Sequence, residues 1–492
     1  MMRLKTLSYR RTLTAAFVIS SLMVLYIWHE SALSEIRLAS PPPLTPQVRQ
    51  SASRTQACPM DAGHLKQRHD LTSEVVYHKQ CIRTVFDDSV DRTDVVDVPD
   101  TSLFAQGQVL DLGRPCQDWQ EMSCEPTTLR VPAPYPTREY VEFTFGVATR
   151  FERLIDSIPQ FSQWLSGSGA RLVAVVVDLD EHVRDIGYLD SLYKSYDIDL
   201  VICGPFHTSL GVNEQHFTIV RDLLKHKTDS TKWLGIIDDD TFFPSLYPLA
   251  EIMEYQNHDA SLYLGALSDS LDAIQQHGTM AYGGAGAFLS LPLARQLEPV
   301  IEQCLSEINS QQGDALLKNC IYGHTDTRLT VVPGLNQADL MGNVDGFYES
   351  GRLPISLHHW KSWHKAPVEQ IAKASTFCGD CLLQRWRFGE DTVLNNGYSI
   401  AVYTNGITQA DLNKTESTFE YSYLYDWSLG PLREKTADGM KKSYHLVESE
   451  FVGDNLRQLY IHRARDGKMH YPDGLSDTAS VRDEVLELWW ER

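Results

Sequence analysis

Residues 233–243 read Trp-Leu-Gly-Ile-Ile-Asp-Asp-Asp-Thr-Phe-Phe, an apolar run that ends in three consecutive carboxylates. Carboxylates this close repel one another unless positive charge sits among them. At the C-terminal edge of a sheet, where open α/β folds bind ligands, Asp238, Asp239 and Asp240 suit a hard divalent cation held by oxygen ligands. A cation there can bridge the protein to the phosphates of a nucleotide. The plain alternative is a solvated acidic turn, and four segments further along the chain weigh against it.

The first is Tyr282-Gly-Gly-Ala-Gly-Ala-Phe-Leu-Ser290, in which Gly283, Gly284, Ala285 and Gly286 let backbone approach a ligand closely. Pro292 then opens a helix carrying Leu293, Leu297, Val300, Ile301 and Cys304. In the second, Gln312-Gly-Asp314 heads a short apolar helix, so Asp314 is either an N-terminal cap or a general base for an acceptor hydroxyl. The third, Leu353-Pro-Ile-Ser-Leu-His-His-Trp360, sets two imidazoles at the end of an extended stretch, and a histidine can join carboxylates on Mn²⁺. The fourth, Trp386 to Tyr403, has the pattern of a β-hairpin turning at Asn395-Asn396-Gly397.

The elements that must position these residues begin at Tyr140. Val141 to Val147 is a strand, and Phe151, Leu154, Ile155, Ile158, Phe161 and Leu165 follow at helical spacing, kinked by Pro159. Arg171 to Val177 is a fully apolar strand ending at Asp178-Leu-Asp180, and Asp197 to Cys203 is a third. Asn213 can cap a helix bearing Phe217, Val220, Leu223 and Leu224, and Trp233 to Ile237 is the fourth strand. Strands alternating with helices, each apolar on both faces, predict a mainly parallel sheet.

With 492 residues, 42% of them hydrophobic and 10% aromatic, the chain can bury a sizeable core. Its net charge of −21 argues against nucleic acid as a partner. Arg3, Lys5, Arg10 and Arg11 precede an uncharged stretch from Thr12 to Trp28, long enough at about 26 Å to cross a thin bilayer. The positive flank predicts a retained signal anchor with a cytoplasmic N-terminus and a lumenal body, a cleaved signal peptide being the alternative. Nine cysteines in a lumenal chain are mostly disulfides; the short pairs Cys116–Cys124, Cys304–Cys320 and Cys378–Cys381 fit, with Cys203 a buried free thiol. Asn413-Lys-Thr415 is the one glycosylation sequon. The organisation expected is a tail at 1–11, an anchor at 12–29, a partly ordered stem at 30–138 and a catalytic unit at 139–365. A β-rich extension at 366–492 follows, ending in an amphipathic helix from Val481 to Trp490.

Taken in order, these segments resemble the Fringe-like β1,3-glycosyltransferases of glycosyltransferase family 31 over about Tyr140 to Tyr403. The motifs carrying the resemblance are the strand with Asp238–Asp240, then Gly283 to Gly286, Gly-Asp314 and Ser356-Leu-His358. The hairpin and the preceding cysteine pair look most like the plant and fungal branch. The resemblance implies a GT-A type, Rossmann-like α/β fold, a UDP-sugar donor, a glycan or glycoprotein acceptor, and Mn²⁺ on Asp238, Asp240 and His358. It makes Asp314 the base, although Gln312-Gly-Asp314 replaces the usual Pro-Asp-Asp. Thr149 and Arg150 resemble the donor-contacting turn, Asp178 or Asp180 would hold uracil or ribose, and Asp239 with the glycine-rich segment would line the donor site. The implied setting is a single-pass type II Golgi membrane protein, with a homodimer compatible. An inactive carbohydrate-binding protein on the same fold is the alternative, as is a metal-dependent hydrolase, which would need additional His or Asp ligands near the triplet for a second metal.

Overall fold

The computed structural model describes residues 63–104, 107–113, 122–308, 310, 312–464 and 482–492. The expected tail and anchor, and the stem before 63, lie outside them. Among the described residues no helix is long and apolar enough to cross a membrane. The described residues form one compact unit built on two large sheets and one two-stranded pair.

Four strands come first: β1 (Glu74–Phe86), β2 (Val95–Val98), β3 (Gln108–Asp111) and β4 (Thr127–Val131). Then follow β5 (Phe143–Thr149), β6 (Arg171–Val176), β7 (Asp199–Cys203), β8 (Trp233–Ile237), β9 (Tyr263–Gly265), β10 (Ala287–Ser290) and β11 (Leu329–Val331), which make a seven-stranded sheet ordered β11-β9-β10-β8-β5-β6-β7. β5 pairs in parallel with β6 and β8, and β6 with β7, while β10 runs antiparallel between β8 and β9. The mainly parallel α/β sheet expected from the sequence is therefore present. Its central strands β5, β6, β8 and β10 are buried on both faces. Phe143, Phe145 and Ala174 face one apolar layer, whereas Val173, Val175 and Leu234 face another that includes helices Val212–His226 and Gly313–His324.

This topology fixes where chemistry can occur. The C-terminal ends of β5, β6 and β8 share one edge because they are parallel. The glycine-rich segment precedes β10, whose reversed direction returns it to that same edge, with Ala287 opposite Ile236.

Local expectations fare unevenly. The helix after β5 breaks at Ser157 into Phe151–Asp156 and Ile158–Leu165, next to Pro159. The helix expected to be capped by Asn213 is capped two residues earlier: Gly211 is the N-cap residue, and its N–H donates to Glu214 Oε2 at 3.1 Å. Cys304–Cys320 and Cys378–Cys381 are disulfides as expected and Cys203 is a half-buried free thiol. Cys124, however, bonds Cys81 rather than Cys116, because β4 lies beside β1 in parallel register and carries Cys124 to it.

The second sheet corrects the outline of the chain. Its later members are β12 (Arg385–Phe388), β13 (Thr392–Asn395), β14 (Ser399–Tyr403), then, after the short pair β15 (Thr415–Glu416) and β16 (Leu432–Arg433), β17 (Lys441–Val452), β18 (Asn455–His462) and β19 (Asp483–Glu491). The order is β2-β12-β13-β14-β17-β18-β19-β1-β3, with β4 on β1. Part of the expected stem, β1 to β4, is thus woven into the β-rich extension. The expected hairpin exists as β13 and β14, turning at Asn396-Gly397 with Gly397 at φ 78°. The helix expected from Val481 to Trp490 is instead β19, paired to β1 on one side and β18 on the other. A short run with Val485, Leu486, Leu488 and Trp490 buried satisfies a central strand as well as a helix face.

Candidate active site

β8 ends at Ile237, and the next four residues form a tight turn in which Asp238 N–H donates to Thr241 Oγ1 at 2.9 Å. Thr241 Oγ1 in turn donates to Gly284 O at 2.9 Å, tying the acidic turn to the glycine-rich segment. Phe242 and Leu357 exchange backbone hydrogen bonds of 2.9 and 2.8 Å, which sets His358 beside the triplet. Trp360 Nε1–H donates to Asp240 O at 2.7 Å and holds that loop in place.

The result is a chain of alternating carboxylates and imidazoles. His358 Nε2 lies 3.0 Å from Asp240 Oδ1 and 3.3 Å from Asp238 Oδ2. Asp238 Oδ1 is 3.3 Å from His216 Nδ1, and His216 Nε2 is 3.0 Å from Asp314 Oδ1. Asp238, Asp240, His358 and Asp314, separated by up to 120 residues in sequence, thus meet in one cluster, with His216 completing it. Asp314 sits in the first turn of its helix and bonds His216; the side-chain cap of that helix is absent.

The glycines are spacers for the imidazoles. A Cβ on Gly283 would lie 2.2 Å from His216 Nε2 and 2.5 Å from Asp314 Oδ1, and one on Gly284 would lie 2.2 Å from the His358 ring. Gly286 adopts φ +102°, which side chains rarely tolerate. Ala285 is held by Gln337 Oε1 on its N–H at 2.9 Å and by Ser356 Oγ on its carbonyl at 2.6 Å.

Burial works against charge on His216, yet Asp238 and Asp314 push it up to about 10. Burial likewise opposes charge on His358, which Asp238 and Asp240 push up to about 10. Asp238, despite its desolvation, is held well below the usual carboxylate range by the two imidazoles, and Asp240 is lowered by His358. The two imidazoles set positive charge beside Asp238 and Asp240, and Arg153 does so for Asp239.

Two carboxylates and an imidazole are a donor set that suits a transition-metal dication. His358 turns Nε2 to the carboxylates, while its buried Nδ1 has no hydrogen-bond partner. Among the described residues, the group whose ligand atoms all lie within 4.8 Å of one another is Cys304, Cys320 and His324, where a disulfide consumes the thiols. Asp238, Asp240 and His358, whose side chains converge within 3.3 Å of the His358 ring nitrogen, are the residues that would hold a dication.

The remaining expected residues form a neighbouring group. Asp239 does not open onto the cavity: its carboxylate is held by Thr149 Oγ1 and Arg153, its carbonyl by Ser157 and Gln160 at 2.7 and 2.6 Å, and burial raises its pKa. Thr149 is buried and spends its hydroxyl on Asp239, so both anchor the turn rather than face a ligand. Asp178 accepts from Phe151 N–H at 2.9 Å and lies 3.5 Å from Arg150, while Asp180 is exposed on a 3₁₀ turn.

A cavity of about 540 Å³ opens beside the cluster, lined among others by Asp238, His216, Asp314, Asn213, Gln337 and Trp363. Sequence reasoning missed His216, Arg153 and Trp360. His216 stands among buried residues of an amphipathic helix, and a polar side chain on that face was the available signal.

Residues 273–429 match a family described as "Protein of unknown function, DUF604", a span that contains the glycine-rich segment, Asp314 and His358. The chain is 31% identical over 113 residues to human chondroitin sulfate synthase 2, covering 23% of this chain and 14% of that protein. It is 27% identical over 181 residues to mouse beta-1,3-glucosyltransferase, covering 36% of this chain and 35% of that one. The similarity is to the Fringe-like family 31 group, and the chain spans about a third or less of each of these relatives. Among solved structures, mouse xyloside xylosyltransferase 1 is 11% identical over 39% of this chain and 84% of its own, with a TM-score of 0.27, too low to argue from.

Proposed function

We propose that this protein is an inverting, metal-dependent glycosyltransferase that moves a sugar from a UDP-sugar to a hydroxyl of a glycan or glycoprotein, forming a β1,3 linkage. The observation that carries the reading is the cluster itself. His358 bridges Asp238 and Asp240 at 3.3 and 3.0 Å, and His216 links that pair to Asp314. The named relatives, a glucosyltransferase and a chondroitin sulfate synthase, agree with it.

Asp238, Asp240 and His358 would hold the metal, Mn²⁺ by its donor set, which supplies charge neutralisation for a departing diphosphate. Asp314 is the base. It takes the proton of the acceptor hydroxyl as that oxygen bonds the anomeric carbon. The carbon–oxygen bond to the β-phosphate breaks, and the nucleoside diphosphate leaves with the electron pair. One displacement inverts the anomeric centre, so an α-linked donor gives a β-linkage. His216 spends its Nε2 on Asp314 Oδ1 and leaves the second carboxylate oxygen for the acceptor. The fold is of GT-A type, and the protein acts as a type II membrane enzyme of the Golgi, closest to the plant and fungal branch. The exposed Asn413 sequon would carry glycan.

Purified protein screened against UDP-Gal, UDP-GlcNAc, UDP-GalNAc and UDP-Glc with and without Mn²⁺ tests this reading. One donor should turn over only with metal, and Asp240→Ala should abolish metal-dependent donor binding while the circular dichroism spectrum is kept. Mn²⁺-dependent turnover by Asp240→Ala would rule the assignment out, and a wild-type protein that binds glycans but turns over no donor would favour the inactive carbohydrate-binding alternative.

A further inference from the structure

The cavity beside Asp314 has a second wall that the chemistry above does not use. Trp363 lies on it, 45% exposed, its ring stacked on His359 at 4.7 Å and 6°. His359 is itself fixed, with Nδ1 2.7 Å from Asp339 Oδ1 and its ring 3.9 Å from that of His358. Tyr421 lines the same cavity, 60% exposed, at φ 54°. A bulky residue in the left-handed region costs conformational energy that a free loop would relax, and such strain gathers at binding sites. Two exposed aromatic rings lining a cavity that also carries several carboxylates are therefore positioned rather than stray.

The charge of the cavity narrows what those rings could hold. Its lining carries Asp238, Asp272, Asp314 and Asp339, and among the described residues that line it there is neither Lys nor Arg. His216 Nε2 lies 3.0 Å from Asp314 Oδ1 and His359 Nδ1 2.7 Å from Asp339 Oδ1, and His277 also lines the cavity. A bound dication and the donor diphosphate offset each other, so the acceptor would meet net negative charge.

Resting on the transferase reading, we propose that Trp363 and Tyr421 form the acceptor subsite, stacking the apolar face of a neutral pyranose and excluding uronic acids and sulfated sugars. The ring face packs on the indole while the acceptor hydroxyl points across the cavity to Asp314. Anionic sugars are refused because no guanidinium or ammonium compensates their desolvation and the aspartates repel them.

Saturation-transfer NMR on the full protein, with methyl glycosides of neutral hexoses, 6-deoxyhexoses and xylose against methyl glucuronide, reads the subsite without any donor. At least one neutral glycoside should bind, and the glucuronide should bind at least about 10-fold more weakly. With the turned-over donor, Trp363→Ala and Tyr421→Ala should each raise the acceptor KM about 10-fold or more, with Trp363→Phe recovering most of the loss. Equal binding of glucuronide, failure of every neutral glycoside to bind, or a rise in donor KM in place of acceptor KM would each overturn the proposal. Absence of turnover with every nucleotide sugar would instead sink the transferase reading, and the glycoside binding would still judge the platform.

Discussion

His216 is the residue on which the two halves of the site depend. It touches Asp238 through one ring nitrogen and Asp314 through the other, so the base and the acidic turn share one proton-bearing ring. Asp314→Asn is expected to keep donor binding by calorimetry and to lower transfer by about 10² or more, the range of a lost general base. Loss of folding in that variant would instead make Asp314 a structural residue. The acidic triplet, Asp314 and His358 were legible in the sequence because each stands at the end of an apolar element. His216 was not, since a histidine inside a helical pattern has no spacing of its own. His364 shows the opposite electrostatics. Burial, with His359 and His358 nearby, lowers it to about 4, and Tyr348 Oη lies 3.1 Å from its Nε2. Its folded pKa is depressed, so the unfolded chain takes up the proton first. Stability contributed by the neutral ring is present above about 6.5 and is lost as pH falls toward 4, on the order of 3 kcal/mol in full. Urea unfolding at pH 7 and 4.5 should show a smaller acid loss for His364→Gln than for wild type.

At the scale of elements, the glycine-rich turn sets how close the imidazoles come to the carboxylates. A methyl group on Gly284 would strike the His358 ring, and one on Gly283 would strike His216 and Asp314. Gly284→Ala should therefore give a folded protein with donor turnover reduced about 10²-fold, since ångström-scale misplacement costs that much. An unchanged rate would show that His358 need not sit where it does. The strands β5, β6, β7 and β8 were legible because they are apolar on both faces, as parallel strands are. β19 was not. Glu484 and Glu487 among its apolar residues imitate a helix face, and only pairing on both edges, which sequence does not display, makes it a strand.

For the whole molecule, the two large sheets share one compact unit, and the apolar layer of Phe143 and Phe145 includes residues from the C-terminal region such as Ile371, Ala372 and Tyr398. Trp490 anchors the second sheet. It is 1% exposed, packs edge-on to Trp386 at 6.0 Å, and donates to Gln458 Oε1 at 2.6 Å. Trp490→Ala should cost about 3–5 kcal/mol, read as a fall in the urea midpoint, and should weaken the catalytic half with it. Two separate transitions, with the donor site surviving the first, would show that the sheets unfold independently. The stem was expected to be only partly ordered. Its strands β1 and β4 belong to the sheet because β1 finds its partner at β19, far along the chain.

That pairing sets an order of events during synthesis. β1 must wait about 400 residues for β19 to leave the ribosome, an extreme of non-local contact, so its long edge stays open until then. A ribosome stalled before Asp483 would hold a nascent chain with one seam of its fabric unsewn, a substrate for holding chaperones until the final stitch arrives.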